Sequence, residues 1–496
     1  MRNSIKKTLF FIIGLLVFIN STNFALASPA SDNSALVSNP HIASLAENYP
    51  GYKQQAIYSS TTKPSTSDTS FSVIGILQWV TVFITVGLLV YMVRHLWFTF
   101  NRLFGTQRHP FLDIDTATWP TVTVFIAAHN EETVIANALR ALIETDYPLD
   151  RLTLTPVNDR STDRTKEIID EFVERHPNLI KPFHRVSGKP GKAAALKDAT
   201  ELVTSEILII FDADYIPSKG LVKHLVSAFF DPEIGAVMGR VVPLNVGSNL
   251  LTRLLDLERS GGYQVDQQAR MNLKLVPQYG GTVGGVRICA LKSIGGWHDD
   301  VLAEDTDLTY RLLLNGWKTA YQNRCECYEE VPEAWPVRMR QIKRWAKGHN
   351  QALFRHTIPL MRDRSIPLIE RLDGFLLLAV YIVPIIVLIG WLISLLAIYF
   401  DHSSLTTGLL WTLAFISYCG LGNFSAFFEI GAAVYLDDNQ NRLRLLPFTL
   451  FSFVISMIAI SQALLEQTII DRLFKRAFHW DKTVRYQRPS ILQKAD

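Results

Sequence analysis

Residues Glu206–Pro217 read EILIIFDADYIP: an apolar run from Ile207 to Phe211 ends in two aspartates spaced one residue apart. A short uninterrupted apolar run suits a strand buried on both faces, as in a parallel sheet covered by helices. Carboxylates at the C-terminal end of such a strand lie where open α/β sheets bind ligands. In an extended chain Asp212 and Asp214 point to one side, because side chains alternate with period two. Two carboxylates on one side repel unless a cation lies between them, and a divalent ion with oxygen ligands meets that need. Taken alone, the pair also suits a simple turn, since Asp accepts backbone hydrogen bonds there. The flanking sequence has to decide.

Upstream, TVTVFIAAHNEETVIANALRAL runs from an apolar strand (Val122 to Ala127) into a helix. That helix carries Val134, Ile135, Ala138, Leu139 and Leu142 on one stripe of period 3.6. LTLTPVNDRSTDRTKEIIDEF repeats the pattern, with Asp159 at its strand end. KPFHRV is a third strand candidate, and GKPGKAAALKDATELV a turn followed by a helix. Strand–helix alternation of this kind predicts an α/β fold with a mostly parallel sheet and helices on both faces. Neither G-x-G-x-x-G nor G-x-x-x-x-G-K-[ST] occurs, so the dinucleotide and P-loop readings are weak.

Two further clusters follow. Glu304, Asp305 and Asp307 precede a helix bearing Leu308, Leu312 and Leu313. Acids at a helix start are favoured by its dipole, which accounts for one of the three but not for the excess. In RMRQIKRWAKGHN, residues Gln341, Arg344 and Trp345 share one helical face. An amide, a guanidinium and an indole together make poor core and good binding surface. Arginine forks match phosphate oxygens, and an indole stacks on a sugar ring. The competing reading is an interfacial helix with its basic residues toward lipid headgroups.

The order Asp159, Asp212-x-Asp214, Glu304-Asp305, Gln341-x-x-Arg344-Trp345, ahead of apolar segments, resembles the processive inverting glycosyltransferases of family two. Cellulose, hyaluronan, chitin and poly-N-acetylglucosamine synthases belong there. The likeness covers about Thr121 to Asn350 and implies a GT-A-like fold. It also implies a nucleotide-sugar donor, expected to be a UDP-sugar, and Mg²⁺ or Mn²⁺ held by Asp212 and Asp214. By the same resemblance Asp159, Lys192, Asp212, Asp214 and Arg344 bind the donor. Asp305 is the general base, and Glu304, Gln341 and Trp345 meet a growing glycan acceptor. Arg160 stands where the family usually has glycine.

The chain has 496 residues, a net charge of +3, 48% hydrophobic and 19% charged residues. Its mean hydropathy of +0.15 is high for a soluble protein, while the charge is too small to argue for nucleic acid. The four cysteines lack zinc spacing, which suits free thiols in a reducing compartment. Residues 1–27 have the layout of a signal peptide or N-terminal anchor, and 28–70 read as an external disordered segment. Val73 to Val93 is uncharged and long enough to span a bilayer, within a transmembrane segment at 71–98. Basic residues after it place a catalytic domain at 115–355 in the cytoplasm.

An interfacial segment at 356–373 follows, then a transmembrane region at 374–470 and a basic tail at 471–496. The spans expected in that region are Gly374–Phe400, Leu405–Leu436 and Leu445–Leu465. Three spans would put the basic tail outside, so either one segment is a hairpin or partly interfacial or the tail breaks the charge tendency. Glu429 is a functional suspect if it lies inside a span, and a headgroup-facing residue if its segment is interfacial. The expectation is a multi-pass protein of a bacterial inner membrane. It would build a β-linked polysaccharide and export it, with accessory secretion subunits as partners. Two alternatives stand beside it: a non-processive enzyme glycosylating a lipid carrier, and an inert membrane partner that binds glycan or nucleotide.

Overall fold

Strand β4 (Ile207–Asp212) is buried from end to end up to Phe211, and its side chains divide between two cores. Ile207, Ile209 and Phe211 join the cluster on one face of the sheet; Leu208 and Ile210 join the cluster on the other. Each such side chain contributes about 1.5–3 kcal/mol when removed from water, an upper figure because the unfolded chain is itself partly compact. The expectation of a strand covered on both sides is met. This computed structural model describes residues 73–110, 118–400 and 424–470. The N-terminal signal or anchor, the external segment, the basic tail and residues 405–423 of one expected span lie outside the described residues.

The sheet has eight strands in the order β3-β2-β1-β4-β7-β6-β8-β5. They are β1 (Val122–Ala128), β2 (Leu152–Asp159), β3 (Phe183–Arg185), β4, β5 (Ile216–Pro217), β6 (Ile234–Pro243), β7 (Gly284–Arg287) and β8 (Lys318–Glu329). From β3 to β4 every pairing is parallel. Beyond β4 the sheet is mixed: β7 pairs antiparallel with both β4 and β6, and β5 antiparallel with β8. A mostly parallel sheet therefore describes its first half only. The short glycine-led strand GGVR has no periodicity to betray it, and it enters only because Gly284 and Gly285 fit between neighbouring backbones. A Cβ on Gly284 would lie 2.5 Å from the Val237 carbonyl oxygen.

Register brings the chemistry to one edge. Ala127 pairs with Asp212 and Ala128 with Asn158, so the C-terminal ends of β1, β2 and β4 are level. The predicted helical stripe is realised in the helix Ile135–Ile143, which buries Ile135, Ala138, Leu139 and Leu142.

Among the described residues two helices are long and apolar enough to cross a membrane, Val82–Phe104 and Gln440–Ile469. The expected straight span Gly374–Phe400 is instead broken: Leu368–Ala379 and Val383–Ile393 meet at 69°. Pro384 explains the break, because its ring is tolerated in the first turn of a helix but not within one. Glu429 lies in the helix Phe424–Leu436. It is 7% exposed and its carboxylate meets His95 Nδ1 on the helix Val73–Phe104. Nearby, Arg94 and Arg270 both bind Asp373, at 2.7 and 2.9 Å, and both also face Asp266, at 3.5 and 2.9 Å. This buried lattice ties the Val73–Phe104 helix to the segment after β6 and to the helix Leu368–Ala379.

Candidate active site

Asp159 closes β2 and is 6% exposed. Arg160 Nε and Arg185 Nη1 donate to its Oδ1 at 2.9 and 3.0 Å, and the Gly191 N–H donates to Oδ2 at 3.1 Å. Burial alone would raise its pKa, but these donors outweigh burial and hold the carboxyl below the ordinary range. Arg160 adopts φ 56°, a left-handed conformation costly for a residue with a Cβ and free for glycine. Its guanidinium on Asp159 gives the arginine a use there.

Lys192 opens the helix Lys192–Thr200 and reaches into the centre. Its Nζ lies 2.6 Å from Asp212 Oδ1, 2.9 Å from the Gly281 carbonyl and 3.9 Å from Glu304 Oε1. Burial pulls the ammonium pKa down, yet Asp212, Glu304 and Asp305 together lift it above the usual value. One cation thus joins the strand-end aspartate to the acidic pair that starts the helix Glu304–Leu314.

In that pair, burial pushes Glu304 up to about 7; Lys192 opposes the shift and the Asp305 charge adds to it. Burial raises Asp305 as well, against hydrogen bonds from Thr306 and the field of Lys192. Two adjacent carboxyls in one low-dielectric site titrate as a unit. Gly281, at φ +72°, makes the close approach possible: a Cβ there would lie 3.1 Å from Asp305 Cβ. Behind the pair, buried Asp307 accepts from Arg311 and His356 at 2.7 and 2.8 Å, which fixes the helix against the long helix Trp335–Arg362.

The strand argument for the two aspartates holds for one of them. β4 ends at Asp212 and the chain turns through Ala213-Asp214, so period-two alternation does not extend to Asp214. Asp212 is partly open beside Lys192, whereas Asp214 is 5% exposed. Among the described residues no three His, Cys, Asp or Glu side chains converge on a metal position. Two carboxylates nevertheless fit an ion that completes its shell with substrate phosphates, as Mg²⁺ commonly does.

The long helix carries Gln341, Arg344 and Trp345 at the spacing of one face. Gln341 Oε1 accepts from Arg338 at 2.9 Å. The Trp345 ring lies 5.1 Å from the Arg338 guanidinium and 5.3 Å from that of Arg259. Arg259 is held in turn by Glu329 at 2.6 Å, and Glu329 accepts from Tyr215 at 2.6 Å. The indole is therefore engaged by two cations. Arg344 is half-buried.

Sequence reasoning missed the segment 278–282. Gln278 donates to Thr306, Gly281 accepts from Lys192, and the Thr282 hydroxyl accepts the Asp212 N–H at 3.0 Å. Its roles rest on backbone groups and long-range approach, which leave only the Gly280-Gly281 pair as a signal.

Residues 120–348 match the family model described as glycosyltransferase like family 2. The chain is 30% identical over 424 residues to the probable glycosyltransferase YdaM of Bacillus subtilis (strain 168), covering 83% of this chain and 96% of that one. It is 32% identical over 239 residues to a beta-monoglucosyldiacylglycerol synthase of Synechocystis sp., covering 48% of this chain and 50% of that one. Among solved structures, it resembles a mannosyltransferase of Pyrobaculum calidifontis in complex with GDP-Man and Mn²⁺. That likeness, with TM-score 0.52 and 23% identity over 73% of this chain and 99% of the other, is one of fold.

Proposed function

The chain belongs to glycosyltransferase family 2, and on that premise we propose that it transfers a single sugar from a nucleotide-sugar donor to a membrane lipid, inverting the anomeric carbon. The likeness to a monoglucosyldiacylglycerol synthase carries the choice of acceptor over the polysaccharide reading. The engaged state of Trp345 agrees with it, since a polymerase needs a platform for each new terminal sugar. So does the outer surface of the long helix and its successor. Phe354, Ile358, Leu368 and Ile369 are all more than half exposed there, as suits a seat on lipid. The catalytic half faces the cytoplasm in this proposal.

In the reaction, Asp305 takes the proton of the acceptor hydroxyl while its oxygen attacks the anomeric carbon. The nucleoside diphosphate departs from the opposite side, so an α-linked donor gives a β-linked product. Lys192 and Arg344 meet the charge that grows on the diphosphate, and Asp159 holds the nucleobase. A divalent ion, held by Asp212 and Asp214, would neutralise part of that same charge.

Membranes containing the protein, given radiolabelled UDP-glucose and dioleoylglycerol, are expected to yield a single-sugar lipid extractable into chloroform. Ethanol-insoluble polymer would restore the polysaccharide reading, and no product would favour an inert partner.

The raised carboxyls set the pH dependence. A base must be unprotonated, so activity rises with pH as the acidic pair ionises. At saturating donor, kcat/KM for acceptor should climb at a pH above the usual carboxylate value of about 4, because burial raises both Asp305 and its neighbour Glu304. A profile that climbs only around the usual carboxylate value of about 4 would contradict this.

A further inference from the structure

The mechanism leaves His349 unused. It follows Trp345 by four residues, as Trp345 follows Gln341, so the three stand in a row along one face of the helix. Its Nε2 lies 3.2 Å from Gln278 Nε2 and 3.2 Å from Thr306 Oγ1. The Gln278 amide nitrogen can only donate, and it also donates to Thr306 Oγ1 at 3.0 Å. With that nitrogen turned toward the ring, Nε2 accepts and the ring proton sits on Nδ1. Burial lowers the imidazole pKa to about 4, so the ring is neutral at physiological pH.

Nδ1 is then a fixed donor. It is fully buried and meets no acceptor among the described residues, and buried donors are rarely left unmet unless something absent belongs there. On one side the ring touches Thr306, whose N–H binds the Asp305 carboxylate at 2.6 Å. On the other it packs on Tyr381, with ring centroids 4.6 Å apart, where the bent apolar helix pair changes direction. His349 thus joins the residue beside the base to the bend of the apolar helix pair.

We propose that His349 binds the acceptor, its Nδ1–H donating to an oxygen close to the hydroxyl that Asp305 deprotonates. The site therefore selects an acceptor with a hydrogen-bond-accepting oxygen near its nucleophilic hydroxyl. An ester oxygen of a glycerolipid and a ring or hydroxyl oxygen of a sugar share that chemistry; a plain long-chain alcohol lacks it. This assignment rests on the lipid-acceptor reading above.

The test uses the full chain in detergent micelles with UDP-glucose as donor. Dioleoylglycerol, octyl glucoside and oleyl alcohol serve as acceptors. His349→Phe keeps a ring of similar size without the donor, and His349→Asn keeps an N–H near the position of Nδ1. His349→Phe should raise the KM for the preferred acceptor about tenfold, the usual worth of a buried hydrogen bond. It should also erase the preference over oleyl alcohol. Slow hydrolysis of UDP-glucose by water should stay within twofold, which shows a folded donor site. His349→Asn should recover most of the loss.

Loss confined to dioleoylglycerol identifies an ester oxygen as the partner; loss confined to octyl glucoside identifies a sugar oxygen. Equal damage to hydrolysis and transfer in both variants would mean a structural role and overturn the assignment. So would unchanged transfer by His349→Phe. If the wild type glycosylates dioleoylglycerol but neither variant alters it, the inference about His349 falls alone. If the wild type glycosylates none of the three, the lipid-acceptor reading itself falls, and the assignment with it.

Discussion

Asp305→Asn is expected to lower sugar transfer by roughly 10²–10⁴ while donor binding changes by no more than a few-fold, the usual worth of a positioned base. The substitution keeps the size of the side chain. Its carbonyl oxygen can still accept the Thr306 N–H, which Asp305 Oδ1 now takes at 2.6 Å. What disappears is the capacity to accept a proton. Lys192 keeps its partners, since its short contacts go to Asp212 and Gly281 and not to Asp305. Titration of UDP into the variant, set beside initial rates with saturating acceptor, separates the two quantities. A variant that loses UDP affinity as steeply as rate would assign Asp305 to the donor. A variant that transfers normally would remove it from the chemistry altogether.

Asp214→Asn is expected to cost transfer at least about 10²-fold, the scale of a single group stabilising transition-state charge. An excess of chelator should silence the wild type, and added Mg²⁺ or Mn²⁺ should restore it. Without three converging protein ligands among the described residues, the ion would be held jointly by Asp212, Asp214 and the donor diphosphate. Metal affinity should therefore be weak in the free protein and tighten when UDP is present, as calorimetry with Mn²⁺ would record. Full activity in excess chelator would sink the metal role. Asp212→Asn should differ from Asp214→Asn in one respect: it also strips Lys192 of its nearest anion, at 2.6 Å, and so should change the pH dependence as well as the rate.

The central strand was legible because its chemistry is local. Five apolar residues in succession can be satisfied only by two cores, and both exist around β4. The aspartates, the acidic pair and the Gln341–Trp345 face were likewise visible as residue types in places where core packing does not want them. The antiparallel insertion of β7 was not legible, because Gly284 and Gly285 carry no side chain to give a period. The cations around Trp345 come from Arg259 and Arg338; Arg259 is distant in sequence, and nothing local announces that it will meet the indole. His349 did stand in plain view, four residues beyond Trp345. Its meaning lies in which nitrogen is left over, and that depends on Gln278 and Thr306 approaching from elsewhere in the chain.

The charges joining Arg94, Asp266, Arg270 and Asp373 bear on how the enzyme can be divided. A cut near residue 115 looks natural, since it separates an apolar helix from an α/β sheet. It would carry away Arg94, and a second cut before the helix Leu368–Ala379 would carry away Asp373. Arg270, 1% exposed, would keep one carboxylate of two, and Asp266 one guanidinium of two. Stripping one partner from a buried ion pair costs about 3–5 kcal/mol, a large part of what holds an average domain together. The catalytic sheet is thus not a passenger that could be unhitched and studied in water. Arg94 and Asp373, supplied by the helices that flank it, complete the buried charges of Asp266 and Arg270.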